Sequence, residues 1–293
     1  MWIPASVLGM TAGPREQTID ARWLMAYAAA LDEHAPQYFD TTRSAGILAH
    51  PVFPVCYEWP LVLDIRARIL AAEVAMRGVH ASHRLILHRR PRAGDRLSTV
   101  ATVAALERRS PGAYVLIRLE TTDAAGQPVT TTEYGSLYLG VDCDAPPRTP
   151  RAISEFEASP HGSEGGLDVP EWSVEVPIAP TLAHVYTECA RIWNPIHTDR
   201  AVARDAGLPD IILHGTATLA LAISQVLRRP ACGVAAPVRS MACRLGAMVR
   251  LPSRLTVRGW SSMPSPQGSI VRFEALTENG QPAIRDGQII LGP

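Results

Sequence analysis

The chain contains no lysine; all 28 of its basic residues are arginine. That excludes a lysine Schiff base and the phosphate-gripping lysine of a P-loop. Arginine is then the only permanently charged side chain that can hold a phosphate, a task its fork of donors suits. An excess of charge is missing too. The 28 acidic residues balance the arginines to a formal net charge of zero, so no basic field exists to hold nucleic acid. Cysteine is scarce and scattered at Cys56, Cys143, Cys189, Cys232 and Cys243, with no CxxC pair. The pattern reads as buried reduced thiols, and no metal site is expected. No apolar run reaches the roughly 20 residues that a membrane-crossing helix needs. The opening MWIPASVLGMTAGPREQ lacks the positive start and apolar core of a secretion signal. These absences lead us to expect a cytoplasmic protein that engages neither membrane nor nucleic acid.

What is present is apolar material and an internal repeat. Apolar residues make up 47% of the chain, enough to build a core and too many for general disorder. Tyr27 to Asp40 reads YAAALDEHAPQYFD, and Tyr186 to Asp199 reads YTECARIWNPIHTD. Without a gap, Tyr27 meets Tyr186, Pro36 meets Pro195 and Asp40 meets Asp199. Each segment runs on to a glycine, Gly46 or Gly207. HRLILHRRPRAGDRLSTV from His83 matches CRLGAMVRLPSRLTVRG from Cys243, and two β-rich runs opening at Gly112 and Gly268 each turn at a GQP tripeptide. Four correspondences in one order mark two copies of one unit. The boundaries follow: a first unit over 1–142, a Pro/Ser/Gly-rich connector over 143–172 without periodicity, and a second unit over 173–293.

Within the second unit, Gly215 to Leu227 (GTATLALAISQVL) is apolar on nearly every face and predicts a buried helix, stopped by Arg228, Arg229 and Pro230. Leu255–Trp260, Ser269–Leu276 and Ala283–Leu291 read as strands. The expected class is α+β: two units, each an antiparallel sheet wrapped around a central helix, with the sheets joined.

The segment Asn194-Pro195-Ile196-His197-Thr198-Asp199, followed by Leu213-His214-Gly215, resembles the signature of the MaoC-like or hydratase-2 family of double hot-dog acyl-thioester hydratases and dehydratases. AHPVFP (Ala49 to Pro54), His80 and HRRPRAGDRL (His88 to Leu97) resemble that family's first unit, so the likeness spans most of the chain. It implies a lyase that exchanges water across the double bond of an enoyl thioester carried on coenzyme A or a phosphopantetheine arm, with no resident cofactor. The implied partners are the acyl-thioester substrate, an acyl carrier protein and a second copy of the chain in a dimer. His197 takes the family's histidine position. The family's aspartate falls on Ile192, which can transfer no proton, so the usual acid–base pair is broken. Asn194 stands beside His197, and Glu188 lies four residues before Ile192, one helical turn away. Gly215 opens the buried helix, where its N–H can meet the thioester oxygen. Arg89, Arg90 and Arg92 are candidates for the coenzyme phosphates, against the ordinary reading of a solvated face. Asp199 reads as a helix cap, and His214 as structural packing. The first unit has Tyr38 and Ala35 in place of His197 and Asn194, which implies one active site per chain. It would shape the acyl pocket, with Trp23, Phe53, Tyr57 and Trp59 as lining or core residues. Two other readings fit the same residues: an isomerase or cyclase of the same fold, and a non-catalytic acyl-binding or scaffolding subunit.

Overall fold

The computed structural model describes residues 1–145, 169–229, 232, 237–260, 263–265 and 268–292. Most of the connector expected at 143–172, residues 146–168, lies outside the described residues.

The first unit holds strands β1 (Thr11–Thr18), β2 (Gly78–Leu87), β3 (Arg96–Arg109), β4 (Gly112–Asp123) and β5 (Pro128–Leu139), with helices α1 (Ala21–Ala30) and α2 (Pro54–Ile69). The second holds β6 (Trp172–Ile178), β7 (Val238–Leu245), β8 (Ser253–Gly259), β9 (Gly268–Thr277) and β10 (Pro282–Leu291), with helices α3 (Leu182–Ala190) and α4 (Gly215–Leu227). All ten strands lie in one antiparallel sheet in the order β1-β3-β4-β5-β2-β7-β10-β9-β8-β6, and the short strand Met263–Ser265 pairs only β9. Read from either edge, the order is the same, so the repeat seen in the sequence is a repeat in space. This is the joined sheet expected for two hot-dog units.

The join is the pairing of β2 with β7. His83 sits opposite Cys243, with Arg84 opposite Ala242 and Ser82 opposite Arg244. His83 and Cys243 are the residues that open the two aligned sequence copies. Equivalent residues facing each other mark a local twofold axis, which passes through this pair. The axis reappears one layer away, where α1 packs on α3. There the aligned Tyr27 and Tyr186 meet, with hydroxyls 3.3 Å apart and ring centres 5.7 Å apart.

Local chemistry sets the helix bounds. Asp20 caps α1 by accepting the Trp23 N–H at 2.7 Å. Proline starts α2, where its missing N–H costs nothing. The helix α4 runs over the residues expected and is buried at every position from Ala217 to Leu227. Alternation along the strands is clear in β3, where it breaks at a bulge between Val103 and Ala105.

The core ignores the boundary between sequence copies. One cluster joins Trp23, Phe53 and Tyr57 of the first unit to Tyr186, Ile192 and the α4 side chains of the second. A second cluster, around Leu61, Ile65, Val103, Ile117 and Tyr138, belongs to the first unit alone. Among the described residues, no helix is long and apolar enough to cross a membrane.

One buried ionisable group stands out in the first unit. Glu58 on α2 is 2% exposed and accepts the Thr132 hydroxyl at 2.7 Å. Burial pushes its carboxyl up to about 8, only partly opposed by the Thr132 and Thr130 hydroxyls. The folded state therefore binds this proton more tightly than the unfolded chain. Its contribution to stability is full below about pH 4.5 and is lost as pH rises through about 8. Glu58→Gln keeps an acceptor for Thr132 and removes the charge. We expect its melting temperature to match wild type at pH 5 and exceed it at pH 9, measured by calorimetry.

Candidate active site

The site is built where α3 ends and α4 begins. Arg191 closes α3 in the left-handed conformation (φ 58), a strained choice for a residue with a Cβ. It is held from the other unit, with its guanidinium 4.0 Å from the Trp23 ring centre. The chain then reverses into a short 3₁₀ turn, Pro195–His197. Asn194 caps that turn by accepting the Ile196 N–H at 3.5 Å, and its side chain is thereby committed to bracing the loop. Asp199 caps the next short helix, Arg200–Asp205, by accepting the N–H groups of Ala201 and Val202. Gly207, at φ 82, ends it. The reading of Asp199 as a cap holds.

His197 points inward and is 9% exposed. Its Nδ1 lies 2.8 Å from the Ile212 carbonyl oxygen. A carbonyl can only accept, so Nδ1 carries the proton and Nε2 keeps its lone pair. Ile212 is itself fixed by a bridge to Arg250, so the ring orientation is set by backbone. Among the described residues, no side chain or backbone group engages Nε2. Burial lowers the pKa to about 4, against a smaller raising effect of the Ile212 carbonyl. The ring is neutral across the physiological range. It stacks on His214, with centroids 3.7 Å apart and planes 26° apart. His214 Nε2 is 3.1 Å from the Thr187 hydroxyl.

His214 precedes α4 but caps nothing with its side chain. Among the described residues none accepts from the first N–H groups of the helix, which lie at the positive end of its dipole. Gly215 keeps that mouth clear. A Cβ there would lie 3.0 Å from the Leu245 side chain and 3.8 Å from His80 Nδ1. Developing negative charge would be stabilised here.

The first unit carries a closed version of the same mouth. By the rings that flank it, His50 corresponds to His214 and Tyr38 to His197; Pro51 follows His50 as Gly215 follows His214, and α2 itself starts three residues later at Pro54. His50 lies 5.8 Å from Tyr27 and 6.1 Å from Tyr38, ring centre to ring centre, as His214 lies beside Tyr186 and His197. But the His50 ring takes the Val52 N–H onto its own Nδ1, and Pro51 has no N–H to offer. The other ring nitrogen, 3.2 Å from the Ser224 hydroxyl on α4, ties the units together.

The remaining candidates divide. Ile192 is 3% exposed and belongs to the shared core, with its N–H on the Thr187 carbonyl. Glu188 is exposed and lines an open pocket of about 350 Å³ together with Trp193 and Asn194; His197 is not among its walls. The three arginines differ in their surroundings. Arg89 is held by two carboxylates, Asp95 at 2.7 Å and Asp123 at 3.2 Å. Arg90 is half-buried, and burial lowers its pKa. Arg92 is exposed, and its backbone N–H is bound by Asp95. Among the described residues, no group of three or more His, Cys, Asp and Glu gathers as metal ligands do.

Sequence reading under-used two residues. His80 and His83, both on β2, lie 5.4 Å apart ring to ring, and His80 faces Gly215. In a regular strand, residues three apart point to opposite faces. The register shift between His80 and Ser82 turns both to one side. The signals in the sequence are the resemblance at His80 and the HASH tetrapeptide.

Two joined sheets, each with a buried central helix, define the double hot-dog class. Solved structures agree. A MaoC-like dehydratase from Phytophthora capsici superposes with TM-score 0.79 at 19% identity, covering 97% of this chain and 96% of that one. A Mycobacterium tuberculosis protein described as having a double hot-dog fold gives TM-score 0.60 at 17% identity, covering 97% and 96%. Residues 168–276 match the MaoC like domain, and residues 6–132 match the FAS1-like, dehydratase domain region. The chain is thus a double hot-dog protein whose second unit carries a MaoC like domain and whose first carries a FAS1-like dehydratase region. It is 25% identical over 189 residues to the peroxisomal hydratase-dehydrogenase-epimerase of Saccharomyces cerevisiae, matching 61% of this chain but only 19% of that protein's length.

Four buried histidines and the half-buried His80 make a pH prediction. Burial holds His197 and His83 at about 4 and His50 at about 3, with His80 and His214 well below the usual value. Folded values below the unfolded value of about 6.5 give stability that is present above 6.5 and lost as pH falls toward 4. Each ring contributes up to about 1.4 kcal/mol per pH unit in that window. We expect the melting temperature to fall steeply from pH 6.5 to 5. The imidazole NMR signals of His50, His80, His83, His197 and His214 in the folded protein should show no titration between pH 8 and 6.

Proposed function

We propose that this protein adds water to, or removes it from, an acyl thioester carried on coenzyme A or a phosphopantetheine arm, with His197 as the proton-transfer residue. The observation that carries the reading is the pairing of a neutral imidazole, Nε2 open, with an uncapped helix mouth at Gly215. In the hydration direction, water attacks C3 of an enoyl thioester and gives a proton to Nε2. The electron pair of the double bond moves to the thioester oxygen, which the N–H groups at the start of α4 stabilise. The proton on His197 then goes to C2. A low resting pKa does not prevent this, because the enolate charge offsets the imidazolium as it forms.

Ile192 stands where the family's signature has an aspartate, so a carboxylate is missing from the set that handles the water. A binding or scaffolding role would explain Ile192, but it would leave the open Nε2 and the open helix mouth without a use. We place the proton-transfer residue and the helix mouth in the second unit, with the first unit supplying the acyl pocket. A cytoplasmic location and a dimer of chains complete the proposal.

The test is hydration of trans-2-enoyl-CoA esters of four to ten carbons. Wild type should be slow but measurable. His197→Ala should lower kcat by about 10²- to 10⁴-fold, the usual contribution of a general acid–base group. Unchanged turnover in that variant would overturn the assignment. Ile192→Asp should raise kcat, because it restores a carboxylate; a neighbouring imidazolium offsets the cost of burying it. A folded Ile192→Asp variant without any gain would argue for different chemistry in the same pocket.

A further inference from the structure

The hydration reading leaves one group unaccounted for at the mouth of α4. His80 comes from the other unit, on β2, and is half-buried there. Its ring is stacked on Tyr134, with centroids 4.0 Å apart and planes 21° apart. Its Nε2 lies 3.1 Å from the Ser82 carbonyl oxygen. That carbonyl can only accept, so Nε2 carries the proton and Nδ1 has the lone pair. Nδ1 is the atom that lies 3.8 Å from the position a Cβ on Gly215 would take. Burial, followed by neighbouring His83, keeps the ring neutral. Each of these features is imposed by surrounding structure. The bulge after His80 aims the ring, Tyr134 fixes its plane, and Ser82 fixes its tautomer.

The helix mouth therefore has two neutral imidazoles of fixed tautomer. His197, stacked on His214, comes from the second unit and His80 from the first. Each turns an unprotonated nitrogen away from its own backbone partner. A water molecule has two hydrogens to give. A carboxylate beside His197 would take one of them, and Ile192 cannot.

We propose that His80 Nδ1 is the second hydrogen-bond acceptor for the reacting water, so the first unit supplies part of the catalytic site. The inference rests on the hydration reading above. Water donates one hydrogen to His197 Nε2 and the other to His80 Nδ1. The O–H bond toward His197 breaks as the C3–O bond forms. The C2–C3 double-bond pair moves to the thioester oxygen. His197 then returns its proton to C2 as the enolate collapses. His80 neither gains nor loses a proton; it holds the oxygen lone pair on line with C3, and releases the hydroxyl with the product. In the reverse direction it accepts from the 3-hydroxyl that leaves.

The test compares wild type, His80→Ala, His80→Asn and His197→Ala on the same trans-2-enoyl-CoA series. The amide oxygen of asparagine hangs from the same Cγ as Nδ1, so it can accept from water but cannot carry a proton. We expect His80→Ala to lower kcat by about 10²-fold, the scale of a misplaced reactant. KM and melting temperature should stay near wild type. His80→Asn should recover most of kcat, with an unchanged pH profile. Full activity in His80→Ala, with His197→Ala inactive, would overturn the role of His80 and leave the hydration reading standing. A loss that His80→Asn fails to rescue, with KM or melting temperature moving as much as kcat, would mean that His80 only packs, and would overturn the proposal equally. No turnover by wild type on any ester would remove the hydration reading, and this inference with it.

Discussion

The pairing of β2 with β7 is the interaction on which the rest of the molecule depends. It turns two five-stranded sheets into one and sets the local twofold axis at His83 and Cys243. It also decides what meets at the mouth of α4. Leu245 lies at the end of β7 and His80 near the start of β2, so the antiparallel pairing carries both to Gly215. Without this register, α4 would begin against a different wall. The core shows the same dependence, because its larger cluster is continuous across both units.

The axis is a symmetry of the backbone that the chemistry has abandoned. Both units place a histidine before the central helix and a ring beside it. In the second unit, His197 presents a lone pair and α4 presents open amides. In the first, Tyr38 replaces the imidazole, Pro51 removes one amide and His50 occupies another. These changes act together. A tyrosine alone would leave an empty anion site at the helix mouth, and proline alone would leave a base with nothing to stabilise the product of its action. With both, the first mouth is a structural tie, fastened through His50 to Ser224 on the opposing helix.

Much of this was legible in the sequence because it is local. The apolar run from Gly215 to Leu227 is buried whatever surrounds it, and its bounds were read to the residue. Asp199 caps a helix beginning one residue later, a short-range bond that sequence states directly. The repeat implied the joined sheet, since two copies of one unit can pair through the same edge strand of each. What depended on distant partners was not legible. Arg89 is tied to Asp123, 34 residues on, a partner that the sequence does not place beside it. Glu188 looked able to reach the Ile192 position by helical spacing, yet α3 stops at Ala190 and Arg191 turns the chain, leaving Glu188 on an outer pocket. The position of His80 is likewise set by distant structure. Its aim depends on a register shift, and a bulge moves side chains between faces without changing the residues that a sequence displays.

Two units in one chain also have a kinetic consequence. In an assembly of separate hot-dog subunits, a pocket walled by both partners exists only while they are associated, and dilution empties it. Here the unit that carries His197 and the unit that carries His80 are tethered, and their association is intramolecular. The geometry between them does not vary with protein concentration. Specific activity measured at nanomolar enzyme should therefore equal that at micromolar, whatever larger assembly the chain enters.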